Sequence, residues 1–145
     1  MKPNDPSIEG EETLYWRAQE LPKEHWTVFD EGRGDYRVRS GAFILNDDGM
    51  SCYRRTVLSN LGLDWSAVKI LPRNGILSVQ AADVRACDLG VAPDPDPPYI
   101  PRADLQPRDK AHALIVIGDG ATVKKWRRRC SSLAPRATIV HMGNA

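Results

Sequence analysis

The sequence predicts an α+β fold: a single domain built on a mixed or mainly antiparallel sheet, with a few short helices and one C-terminal amphipathic helix. Three observations predict it. Short β-prone runs alternate with short helical segments, and neither type dominates. Val123, Trp126, Cys130 and Leu133 recur at helical spacing, giving one apolar face. The chain has 145 residues, 41% apolar and 27% charged, which suits one domain with its own core.

Residues 1–12 carry Pro3, Pro6, Gly10 and the acids Asp5, Glu9, Glu11 and Glu12. They read as a flexible N-terminal tail, with a globular domain over 13–145. Leu14-Tyr15-Trp16-Arg17 opens the domain, either as the start of a helix over Glu12 to Leu21 or as a first strand; its aromatic pair leans to the strand, and Pro22 ends either one. Trp26 to Phe29 is a second β-prone run, broken by the Asp30 to Asp35 loop. Tyr36 to Ser40 alternates with period two. Ala42 to Leu45 follows, then turn chemistry at Asn46-Asp47-Asp48-Gly49 and a returning strand from Met50 to Arg55, so a hairpin is expected here. Thr56 to Leu61 and Asp64 to Ile70 read as short helices, ended by Gly62 and Pro72. Gly75 to Gln80 is a strand, Ala81 to Asp88 a short helix, and Val91 starts an extended segment. Residues 93–107 hold six of the eleven prolines, which predicts a polyproline-like surface loop. His112 to Ile117 is a buried-type strand closed by Gly118-Asp119-Gly120. Ala121 to Leu133 is the amphipathic helix, and Ala137 to Val140 a last strand.

Composition excludes several classes. No apolar run approaches the ~18 residues of a membrane span, and the acidic start does not resemble a secretory signal peptide. A cytoplasmic location is expected. The three cysteines, Cys52, Cys87 and Cys130, form no C-x-x-C pair and read as buried reduced thiols. The histidines, His25, His112 and His141, fall in no H-x-x-x-H spacing, so no metal site is expected. No glycine pattern calls for a cofactor: Gly32-Arg33-Gly34 and Gly118-Asp119-Gly120 read as tight turns.

The net charge of +1 is unevenly spread: the last 36 residues carry +6 and the rest −5. Lys124-Lys125-Trp126-Arg127-Arg128-Arg129 is the densest piece. Trp126 falls on the apolar face, so the cations, with Lys124 and Arg128 as representatives, form a solvated stripe suited to a polyanion or an acidic protein. A second cationic patch is expected on the hairpin, where Arg37, Arg39 and Arg54 would share one sheet face beside Ser40 and Ser51. His112, opening an apolar strand, is the candidate acid, base or polar anchor. Ser40 and His112 are the candidate catalytic residues. The candidate binding residues are Arg37, Arg39, Phe43, Ser51, Arg54, Arg85, Lys124 and Arg128.

Arg39-Ser40-Gly41-Ala42-Phe43, Asp48-Gly49-Met50-Ser51, Val79 to Arg85, Asp94-Pro95 and His112 to Gly118, followed by a basic helix, occur in that order. This order resembles a family of small uncharacterised bacterial proteins over roughly residues 14–140. The resemblance implies a bacterial origin and draws attention to Arg39, Ser40, Phe43, Ser51, Arg85 and His112. A fainter similarity is to ADP-ribosyltransferase-like domains, which open with a strand like Leu14 to Arg17 and build split sheets around a cationic dinucleotide cleft. That similarity puts Arg17 and Ser40 at the Arg and Ser of such motifs. The family's catalytic Glu near the C-terminus is missing, since no Glu follows Glu31.

Two functions are therefore expected in order: a non-catalytic binding or interaction domain with a cationic surface, and a small nucleotide-using enzyme built on His112, Arg39 and Ser40. The first engages a protein or a polyanion through the basic helix and the Arg-rich hairpin, with no membrane partner and with nucleic acid left open.

Overall fold

The computed structural model describes residues 2–18, 23–46, 48–118 and 122–143. It is a single α+β domain with eight strands, every neighbouring pair antiparallel. The chain runs β1 (Thr13–Arg17), α1 (Lys23–Trp26), β2 (Thr27–Asp30), β3 (Asp35–Val38), β4 (Met50–Arg54), α2 (Arg55–Asn60), β5 (Ile76–Gln80), α3 (Ala81–Ala86), β6 (Gly90–Pro93), β7 (His112–Val116), α4 (Val123–Leu133) and β8 (Thr138–His141). Six strands form the main sheet in the order β6-β7-β4-β1-β5-β8, while β2 and β3 pair as a separate ribbon.

Strand periodicity sorts the side chains into two layers. On one face Leu14, Trp16, Cys52, Leu77, Val79 and Ile115 are almost fully buried with Trp126, Cys130 and Leu133 of α4. Each such large apolar side chain contributes about 1.5–3 kcal/mol on leaving water. On the other face Tyr15, Tyr53 and Ile76 pack under Leu58 of α2, Val68 and Ala111. α4 begins at Thr122, whose side chain accepts from Lys125 N at 3.2 Å, satisfying one otherwise open amide. Val123, expected on the buried face, is 59% exposed: it lies in the first turn, outside the strip that reaches the sheet.

The expected hairpin across Tyr36 to Arg55 does not form. β3 pairs with β2, β4 pairs with β1 and β7, and 43–45 is not a strand. The turn chemistry is nonetheless used: Asn46 and Gly49 exchange two backbone hydrogen bonds of 3.1 Å, with Gly49 at φ +128°, a conformation open to glycine. Arg37 and Arg39 therefore lie on the ribbon and its edge, and Arg54 on the main sheet. The three share no face.

The segment expected as a flexible tail packs on the domain. Ile8 is 1% exposed, Asp5 N donates to Val91 O at 2.7 Å, and Asn4 Oδ1 accepts from Val91 N and Arg85 Nε. Glu12 is buried and accepts from Arg54 Nε at 2.9 Å, Thr56 Oγ1 at 2.5 Å and Thr56 N at 3.2 Å. The proline-rich stretch begins at Pro93, the last residue of the edge strand β6, where a missing amide costs no ladder bond. Two 3₁₀ turns follow, Arg102–Asp104 and Pro107–Ala111. Pro22, Asp47 and the Asp119 to Ala121 part of the glycine loop lie outside the described residues.

Candidate functional site

The centre of the main sheet is forked. β1 and β4 are paired at Leu14↔Arg54 and Tyr15↔Tyr53. Beyond those two rungs each strand keeps only its outer neighbour: β1 stays with β5 to Arg17↔Ile76, and β4 with β7 to Met50↔Ile115. Trp16-Arg17 and Met50-Ser51 thus diverge, and a cavity of about 320 Å³ opens between them. Arg17, Ser51, Tyr53, Asn46 and Asn74 contribute polar groups to its wall, with Ala42 and Ile70 among the apolar ones. The closed end of the fork is clamped by Glu12, which ties the start of β1 to the end of β4 and to α2.

Arg17 is the charged side chain among the described residues of this wall. Its Nη1 donates to Val68 O at 2.7 Å, and its guanidinium carbon stands 5.7 Å from the Tyr53 ring centre. Both contacts hold the cation against the wall.

Ser51 links the cavity to a buried polar chain. Its Oγ lies 3.0 Å from His112 Nε2. His112 Nδ1 faces two acceptors on Asp94, the backbone oxygen at 3.0 Å and carboxylate Oδ2 at 3.2 Å. The Asp94 carboxylate also accepts from Lys2 Nζ at 2.7 Å. Two acceptors at Nδ1 fix the tautomer: the neutral ring carries its proton on Nδ1 and presents Nε2 as an acceptor. His112 is 1% exposed. Burial pushes it below the ordinary histidine range, against the opposite pull of the Asp94 and Asp109 carboxylates. Desolvation prevails because the ring is almost wholly enclosed. Tyr99, on the proline-rich loop, brings its hydroxyl to 3.3 Å from the same Nε2 although the residue is 62% exposed. Burial raises the Tyr99 phenol above its ordinary range. A hydroxyl set on a neutral imidazole oriented by a carboxylate is poised to lose its proton to that imidazole.

Among the two candidate catalytic residues, His112 belongs to this chain and Ser40 does not. Ser40 is exposed in the 3₁₀ turn Ser40–Ala42 and lines a separate depression with Arg37 and Arg39. Arg39 donates to Glu24 O at 2.6 Å, and Arg37 Nε stands 3.5 Å from Asp30. Ser51, named among the binding residues, is the hydroxyl that meets the histidine. Phe43 is core, 5.1 Å from the Trp16 ring. Arg54 is held by Glu12, and Arg85 by Asn4 and the Asp5 carbonyl. Lys124 and Arg128 are exposed on α4. Arg128 lines an open cleft of about 450 Å³ with Lys125, Arg129 and Arg136.

Sequence reading missed Asp94 and Arg17 as partners of His112 and Ser51. The available signal was the motif order: Met50-Ser51, Asp94-Pro95 and His112-Ala113, far apart in sequence, meet here, and Ala42 of the Ser40 to Phe43 segment lines the same cavity. Among the described residues no cluster of three or more His, Cys, Asp or Glu could hold a metal ion, and no helix is long and apolar enough to cross a membrane. Comparison with family models, curated proteins and solved structures returns no match.

Proposed function

We propose that the chain is a small enzyme that takes a nucleotide-type ligand into the fork of its sheet. The observation that carries this reading is one juxtaposition. Ser51, hydrogen-bonded to a buried neutral imidazole, forms the wall of the same cavity as the Arg17 guanidinium. A cavity of about 320 Å³ falls at the small end of ligand sites, enough to enclose the phosphate and sugar of a nucleotide. Arg17 supplies a forked cation for phosphate, and Tyr53 an aromatic surface beside it. The missing C-terminal Glu argues against ADP-ribosyl transfer, so the chemistry is assigned to Ser51 and His112.

The test is a thermal-shift titration with AMP and NAD at low and high salt. A ligand that binds only the folded chain raises the midpoint by mass action. At a hundredfold excess over Kd the gain is about 2.7 kcal/mol, or roughly 5–10 °C for a domain this size. The expected result is a shift that survives salt and is lost in Arg17→Met. No shift with any nucleotide overturns the reading.

A second reading has its own observation. Lys125, Arg128, Arg129 and Arg136 surround one cleft, and Lys124 and Arg127 are exposed on the same helix. That supports a non-catalytic interaction surface for a polyanion. It predicts capture of a short RNA that disappears in high salt and is indifferent to Arg17→Met.

A further inference from the structure

We propose that Ser51 is a covalent nucleophile that accepts an acyl group. This rests on the reading of the fork as a small-molecule site and names its chemistry: the substrate is an acyl ester of a phosphate-bearing alcohol. Three features of the geometry point to it. Ser51 Oγ and His112 Nε2 are 3.0 Å apart, and Nδ1 is turned to Asp94, the order of contacts by which a serine hydroxyl is activated. The histidine is enclosed, whereas Ser51 is only half-buried and reaches the cavity. The wall carries one cation, Arg17, among its described residues, a group that favours a phosphate or the negative charge an acyl oxygen gains.

The step balances without a further reagent. Ser51 Oγ attacks the acyl carbon and its proton passes to His112 Nε2. The bond from that carbon to the alcohol oxygen breaks, and the leaving alcohol takes the proton back from Nε2. Water then attacks the Ser51 ester, again losing a proton to Nε2. The acid departs and Ser51 recovers its hydrogen. Asp94 is a positioning residue: it holds the Nδ1 proton and favours the imidazolium that forms in passing. Tyr99 brings a second hydroxyl to the same nitrogen.

The experiment uses a fluorescent fluorophosphonate and p-nitrophenyl acetate on the full chain. The expected results are one adduct per chain, mapped to Ser51 by peptide mass spectrometry, and a burst of p-nitrophenolate. Ser51→Ala abolishes both, and His112→Gln slows labelling about 100-fold or more. The labelling rate holds at neutral pH and above and falls only on the acid side of the ordinary histidine range, because burial depresses the His112 imidazole. Asp94→Asn moves that pH profile, which a merely structural role would not do. Mapping on the unsubstituted chain keeps the test valid if a variant fails to fold. No adduct, or an adduct on another residue, overturns the proposal. Nucleotide-induced stabilisation without any Ser51 adduct would leave the ligand reading standing and remove the nucleophile. An adduct without nucleotide stabilisation would do the reverse.

Discussion

Replacing Glu12 with Ala should destabilise the protein far more than its place before the first strand suggests. The Glu12 side chain is 3% exposed and its partner Arg54 26%. One carboxylate accepts from Arg54 Nε, Thr56 Oγ1 and Thr56 N. Truncation leaves a partly buried guanidinium and an open helix amide without their acceptor. Breaking a buried pair costs about 3–5 kcal/mol. Arg54 retains some access to water, so the low end, about 3 kcal/mol, is expected. For a domain of this size that is roughly 6–12 °C in the thermal midpoint. Glu12→Gln keeps the shape and one acceptor and should cost about half as much. Urea denaturation with a double-mutant cycle against Thr56→Val isolates the hydroxyl contact, whose coupling should be about 1 kcal/mol. A loss below about 1 kcal/mol for Glu12→Ala would refute the reasoning. It would mean that the clamp at the closed end of the fork is not carrying β1 against β4.

The remaining expectations concern pH, thiols and the docked N-terminus. The folded chain keeps His112 neutral below its ordinary range. The unfolded chain therefore binds a proton that the folded one refuses, and stability is full above about pH 6.5 and falls as pH drops below it. Urea midpoints across that window should show the slope, and His112→Gln should flatten it. A smaller slope remains from the half-buried His141, lowered by burial and by Lys69. Burial pushes the Cys130 thiol up to about 12 and Cys52 higher still. In a thiol-reactive dye assay Cys87, at the wall of the α4 cleft, should react first and the other two only on unfolding. Ile8→Ala should cost about 2–4 kcal/mol and speed proteolysis within residues 2–11. An unchanged midpoint would mean that this segment is not docked.

Much of the main sheet was legible because its strands are locally coded. The Leu14 to Arg17 run and the apolar stretch from His112 have the composition of strands, and Pro72 and Gly75 mark the break before β5. Pairing was not legible. Asn46 and Gly49 do form a turn, but Met50 to Arg54 finds its neighbours at Thr13–Arg17 and His112–Val116, so local turn chemistry pointed to the wrong partner. The same non-locality hid the site. Ser51 meets His112 only because register sets Tyr53 opposite His112, and Asp94 looked like one residue of a proline loop. The N-terminal segment was misread because its composition is polar. What docks it is one apolar side chain, Ile8, and the polar contacts of Lys2, Asn4, Asp5 and Glu12, which composition does not register.

The strand order has a kinetic consequence. Among the described strands no neighbouring pair of the main sheet is joined by a tight turn, whereas a short reverse turn joins β2 to β3. The walls of the cavity come from β1, β4 and the stretch around Ile70, and the histidine behind it from β7, almost a hundred residues after β1. Each contact requires closing a long loop before any burial offsets the lost entropy. The chain should therefore refold over milliseconds to seconds, the range of sheet topologies dominated by distant contacts. The cavity should appear only as the whole molecule condenses.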